Sequence, residues 1–315
     1  MDTSPAAVFT LSGANESWTM KYIVFAFTAQ GYFLTLFLNV TLIAVIGLEK
    51  ELHQPMYIFL CNLCVNGLYG TLGFYPKFMS DLLSDSHVVS YNGCLLQSFI
   101  IFSYALCELT NLTVMAVDRY VAICKPLHYH STVTRVRAGK MLVFVWMLPC
   151  CSVVLSILIT TKMSFCGGTV QHNTLYCKLT ISTCREQLLK FVFNGISTSF
   201  YLSMALFVVY SYGKIFFACR KSRQNQSKFV QTCVPHLITY LHYIFVVLCD
   251  SFSIRLSGTD LPQWFQNFMS VAFLVTPPVL NPLIYGMNLT PIRTKIRKML
   301  QIRQENCVFS DSSKE

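Results

Sequence analysis

Long apolar stretches alternate with short polar ones along this chain. Seven stretches stand out: Tyr22–Leu48, Met56–Met79, Leu95–Val117, Met141–Thr161, Phe191–Phe217, Phe229–Cys249 and Phe265–Met287. A helix rises about 1.5 Å per residue, so each can cross the roughly 30 Å hydrocarbon layer of a bilayer. The runs are too long for barrel strands and do not alternate with period two. The pattern predicts an all-α membrane protein, a seven-transmembrane helix bundle over residues 22–287, with an outer tail at 1–21 and an inner tail at 288–315. Within the second tail, Ile292, Ile296, Met299 and Leu300 recur among basic residues, which predicts a short amphipathic helix lying on the inner leaflet.

Composition narrows the picture. The chain is 54% hydrophobic and 12% charged, against about 25% charged for a soluble domain; one soluble core could not hide that much apolar surface. The net charge of +10 raises nucleic acid as a partner, but the placement of the charges answers it. With the amino terminus outside, 17 of the 24 lysines and arginines fall on inner segments, from Lys50 through the group Arg135, Arg137 and Lys140 to the last tail. This is the positive-inside signal of a multi-pass plasma-membrane protein with its carboxyl terminus in the cytoplasm. Membrane lipid is the expected surrounding and nucleic acid is not an expected partner. Residues 1–21 show no basic start or apolar core of a signal peptide, and Asn15-Glu-Ser17 is a glycosylation acceptor in that tail.

Polar residues inside the spans are the candidates for function, because lipid makes them costly. Glu108 sits eleven residues before Arg119, about three helical turns, so the two share a face of span three. Arg119 has Asp118 beside it at the end of that span, within Met115-Ala-Val-Asp-Arg-Tyr-Val-Ala-Ile-Cys124. Span seven carries Thr276-Pro-Pro-Val-Leu-Asn-Pro-Leu-Ile-Tyr285, whose prolines free backbone carbonyls that polar side chains must re-satisfy. Of 14 cysteines, four fall on the outer side: Cys94, Cys166, Cys177 and Cys184. An oxidising exterior suggests two disulfides, with three pairings open. Asp250 and Arg255 read as a solvated pair at the outer rim. No nucleophile–base pair, metal-ligand spacing or phosphate loop points to an enzyme.

The decapeptide around Asp118, Arg119 and Tyr120 resembles the inner end of span three in olfactory receptors, a branch of the rhodopsin-like (class A) G-protein-coupled receptors. Agreeing pieces are Gln54-Pro-Met-Tyr-Ile-Phe-Leu60, Lys125-Pro-Leu-His-Tyr129, Ser211-Tyr212, Lys228-Phe-Val-Gln-Thr-Cys-Val-Pro-His-Leu237 and Asn281-Pro282-Leu-Ile-Tyr285, in order across roughly residues 25–300. The resemblance implies an odorant receptor that binds a small molecule among the outer halves of its helices and activates a heterotrimeric G protein, of the stimulatory type that raises cyclic AMP. It implies a switch of Asp118, Arg119, Tyr120, Tyr212, Asn281, Pro282 and Tyr285. Helical spacing above Arg119 gives the pocket candidates Ile101, Phe102, Ala105 and Leu106 on span three, with Ser197, Phe200 and Tyr201 of span five and Val247 and Ser251 of span six as partners. The resemblance further implies disulfides Cys94–Cys177 and Cys166–Cys184, and a sodium site at Glu108 and Asn281. The chain departs from the family at Gly67, where an acidic residue is usual, and Glu108 is left as the sole carboxylate of that site. No other cofactor is implied. Two other readings are a class A receptor recruited to a non-olfactory task and, from another class, a transporter or channel. Against the latter stand the odd span number and the absence of a repeat at transporter spacing.

Overall fold

The computed structural model describes residues 8–10, 18–84, 88–162, 187–220, 223–255 and 263–299. The helices are α1 (Trp18–Leu48), α2 (Pro55–Leu83), α3 (Tyr91–Cys124), the single turn α4 (Tyr129–Thr132), α5 (Arg135–Lys162), α6 (Gln187–Cys219), α7 (Arg223–Arg255) and α8 (Gln263–Asn288). A last helix, α9, covers 290–299. Among the described residues seven helices are long and apolar enough to cross a membrane, and each contains one expected span. Several run on past the apolar stretch: α3 continues to Cys124, so Asp118, Arg119 and Tyr120 lie on its last two turns. Pro126 then opens a short 3-10 turn, consistent with the residue before a proline being driven out of helix.

The structure adds one element that the hydropathy pattern does not announce. Strands β1 (Val8–Thr10) and β2 (Val88–Ser90) pair antiparallel, Phe9 opposite Val89. Ser90 ends β2 and caps α3, its hydroxyl accepting from the Gly93 amide at 3.1 Å.

Helix α3 is the axis of the bundle. It packs on α2, α5, α6 and α7, and nearly every residue from Cys107 to Ala116 is buried. By contrast α5 and α6 are the most exposed spans, with Leu202, Leu206 and Val209 turned outward. A membrane bundle is apolar outside as well as inside, so its polar groups collect in the interior, where they can pair. Accordingly Asn39, Asn66, Glu108, Asn111, His236 and Asn281 are all almost fully buried.

Close approach of α2 to α3 rests on glycine. Gly70 and Gly73 of α2 sit against α3, whereas Gly67 faces Asn39 of α1 and Pro278 of α8. A Cβ at Gly70 would stand 2.5 Å from the Tyr104 ring, and one at Gly73 would stand 2.7 Å from Ile100. Small residues let lipid-embedded helices gain packing contacts where no hydrophobic drive is available. In α8, Pro282 has no N–H for the Pro278 carbonyl four residues earlier. Asn39 of α1 supplies it instead, donating to Pro278 O at 2.7 Å.

The expected amphipathic helix is present as α9. Ile292 is buried, Ile296 packs on the core, and Lys295 pairs with Glu49 at 2.7 Å and Glu51 at 3.1 Å in the α1–α2 connection. Those carboxylates hold the Lys295 amine above its usual pKa.

Candidate functional site

Three polar layers follow one another along α3. The first is at its carboxyl-terminal end. Neighbouring residues on a helix do not ordinarily face each other, yet Arg119 folds back so that Nε donates to Asp118 Oδ2 at 3.0 Å, with Nη2 also on that oxygen. The other carboxylate oxygen accepts from the Tyr129 hydroxyl at 3.0 Å. Asp118 is 2% exposed, so its charge is matched by one cation and one hydroxyl. Burial, then the nearby Asp118, pushes the Tyr129 hydroxyl up to about 12, which keeps it a donor at neutral pH. Tyr120 packs against the core beside this cluster.

The second layer joins α3, α6 and α7. The Tyr212 hydroxyl and His236 Nδ1 are 2.7 Å apart, and His236 Nε2 lies 3.1 Å from the Leu112 carbonyl. The Tyr212 and His236 rings stack, their centroids 5.5 Å apart. One imidazole thus bridges three helices. Sequence reading passed over His236 as part of a motif, although an ionisable residue within a span was signal enough. Tyr285 of α8 is buried beside Thr239 of α7.

The third layer is centred on Glu108. Its Oε2 accepts from Asn66 Nδ2 at 2.7 Å, and its Oε1 accepts from Asn281 Nδ2 at 2.5 Å. The expected nearness of Glu108 and Asn281 is therefore found, with Asn66 as a partner that sequence reading did not assign. Next to it, Asn62 joins Asn111 at 3.1 Å and Trp146 at 2.9 Å, tying α2, α3 and α5.

A hard cation such as sodium takes several oxygens. Both Glu108 oxygens accept amide N–H groups, while the side-chain oxygens of Asn39, Asn66 and Asn281 are buried without a hydrogen-bond partner. The space that a side chain at Gly67 would occupy is closed by Asn39 Oδ1 at 3.3 Å and Pro278 Cβ at 3.4 Å from an added Cβ.

Toward the Cys94 end, a cavity of about 220 Å³ opens between α3, α5 and α6. Phe102, Leu106, Val153, Ile157 and Phe193 give it an apolar wall; Ser98, Ser152, Ser156, Thr160, Asn194 and Ser197 give it hydrogen-bonding groups. An apolar site with a few placed polar groups is what small ligands need, and this volume lies below the roughly 300–1,000 Å³ of drug-sized sites, which restricts it to small molecules. Of the expected pocket residues, Phe102, Leu106 and Ser197 line it, and Tyr201 donates to the lining Ser152 at 3.2 Å.

The others go elsewhere. Ile101 is buried with Tyr104 and Phe273, and Ala105 and Val247 pack beside them. The Tyr243 hydroxyl closes that side on the Ala105 carbonyl at 2.6 Å. Phe200 and Ser251 are exposed. The cavity therefore draws on α5, which the spacing rule above Arg119 had not included. Asp250, read as a solvated rim residue, is instead buried and accepts from Ser270 of α8 at 2.8 Å. Cys94 is buried and disulfide-bonded; Cys166, Cys177, Cys184 and the glycosylation acceptor Asn15 lie outside the described residues.

A seven-helix membrane bundle with a ligand-sized cavity toward one end and a buried ion pair at the other defines a receptor of the G-protein-coupled type. The family model for olfactory receptors matches residues 28–303. Human olfactory receptor 5AN1 is 31% identical over 92% of this chain and 94% of its own length. Mouse olfactory receptor 2C1 is 29% identical over 94% and 96%, and human olfactory receptor 52D1 is 30% identical over 89% and 90%. The chain belongs to the olfactory receptor family, and it is a receptor rather than an enzyme.

Proposed function

We propose that this receptor takes a small odorant into the α3–α5–α6 cavity and activates a heterotrimeric G protein of the stimulatory type, raising cyclic AMP. In this reading the amino terminus and Cys94 face outward at the plasma membrane, Arg119 faces the cytoplasm, and the pairings Cys94–Cys177 and Cys166–Cys184 pin the outer loop. The observation that carries it is the shared helix. Phe102 and Leu106 line the cavity on α3, and the same rigid element carries Glu108, Leu112 and the Asp118–Arg119 pair.

An arginine at a membrane edge is costly unless paired, so Asp118 and Tyr129 hold the closed arrangement, and the Tyr212–His236–Leu112 bridge keeps α7 against α3. A ligand that fits the cavity better when these helices shift moves the equilibrium by its differential affinity alone. Release of the bridge frees the inner end of α7 to swing away and exposes Arg119, with Tyr120, Asn281, Pro282 and Tyr285 adjusting around it. Sodium has no step in this scheme.

The test is cyclic AMP in cells expressing the receptor and exposed to an odorant panel. A ligand response that Arg119→Ala abolishes, with surface expression intact, supports the reading. A response that survives the substitution, or ligand flux independent of any G protein, overturns it.

A further inference from the structure

A second, larger hollow lies away from the odorant cavity, at the Arg119 end. It is a groove of about 500 Å³ between α1, α8 and α9. Its wall is apolar: Phe37, Leu38 and Leu42 from α1, Leu283 and Met287 from α8, and Ile296 from α9. Phe37 and Met287 are more than half exposed, so the groove opens sideways to where lipid stands. Its polar edge is cationic, formed by Arg293 and Arg297.

These two arginines differ from Lys295 between them. Lys295 is neutralised by Glu49 and Glu51, whereas among the described residues neither Arg293 nor Arg297 has an acidic partner. Gly286 lines the groove facing Ile296, an added Cβ standing 3.9 Å from Ile296 Cδ1, so a larger side chain there would project into it.

We propose that this groove is a binding site for one anionic phospholipid. An acyl chain lies along the α1–α8 wall, and the phosphate of a headgroup with net negative charge, uncancelled by a choline ammonium, sits between Arg293 and Arg297. The occupant must be apolar along most of its length and negative at one end, and it must be present where the α9 helix meets the bilayer. A bidentate guanidinium suits a phosphate oxygen pair, and each basic residue near an anionic leaflet favours binding about fivefold.

The test uses the full-length receptor, purified in detergent and incubated with equal phosphatidylserine and phosphatidylcholine; lipids retained on the protein are counted by native mass spectrometry. The preference for phosphatidylserine should fall about fivefold in Arg297→Gln and roughly 25-fold in Arg293→Gln/Arg297→Gln, while the wild-type melting temperature is kept. Lys298→Gln, an equal loss of charge on the same helix, lies outside the groove lining; in detergent, with no charged leaflet around the receptor, it should change the preference less than Arg297→Gln does. Gly286→Leu fills the groove and should lower retention of both lipids. An unchanged preference in the double variant, or a Lys298→Gln effect as large as that of Arg297→Gln, overturns the site. Displacement of the lipid by soluble glycerophosphoserine as effectively as by phosphatidylserine would also overturn it, because the apolar wall would then contribute nothing.

Discussion

Tyr129 and His236 are the two side chains whose removal tests the switch most directly. The phenol donates to a buried carboxylate, and hydrogen bonds to charged groups contribute about 1.5–3 kcal/mol; partial exposure of Tyr129 reduces that to about 1 kcal/mol. Tyr129→Phe should therefore raise ligand-independent cyclic AMP about fivefold. His236→Phe keeps the ring but leaves Tyr212 Oη and the Leu112 carbonyl without their shared partner, and it should raise basal signalling by a similar or larger factor. Basal signal at the wild-type level in both variants, at equal surface expression, would rule out their role in holding the closed form. Because its pKa is raised from 10.0 to about 12, Tyr129 contributes fully below about pH 10. The contribution is lost only as pH rises toward 12, so basal activity should not vary with pH through this residue in the neutral range.

At the scale of helices, Gly70 and Gly73 of α2 set how near α3 can come. Gly70→Ala would drive a methyl group into the body of the Tyr104 ring, which itself is fully buried. Overpacking of this kind costs about 1–3 kcal/mol, and the expected result is a lower melting temperature and reduced surface expression. Gly139→Ala on α5 meets no neighbouring atom within 4 Å and should leave stability equal or slightly higher, since alanine favours a helix by about 1 kcal/mol over glycine. Equal thermal melts for the two variants would show that the α2–α3 contact is not under this constraint. Both glycines are visible in the sequence at a spacing of three residues. What was not readable is which helix they face, because spacing fixes a face of α2 and not its neighbour.

For the receptor as a whole, the decisive prediction concerns where the odorant sits. Ser156→Phe, on the α5 wall, should fill much of the cavity and weaken odorant potency at least tenfold. Val154→Phe, on the exposed side of the same helix, should not alter it. If the two variants respond alike, the ligand is held elsewhere. Sequence by itself determined the seven spans, the receptor class and the residues of the ion pair, Asn281 and Tyr285. Span length is a one-dimensional quantity set by bilayer thickness, and the motifs are contiguous in the chain. Tertiary structure alone decided that Asn66 and Asn281 both reach Glu108, that His236 bridges Tyr212 to Leu112, and that Asn39 answers the carbonyl freed by Pro282. It also brought Ser152 and Ser156 of α5 to the cavity that Phe102, Leu106 and Ser197 line, and filled the space beside Ile101 with Tyr104 and Phe273. Each of these depends on the rotation and depth of one helix against another, which packing between residues 24 to 239 positions apart fixes and local periodicity does not.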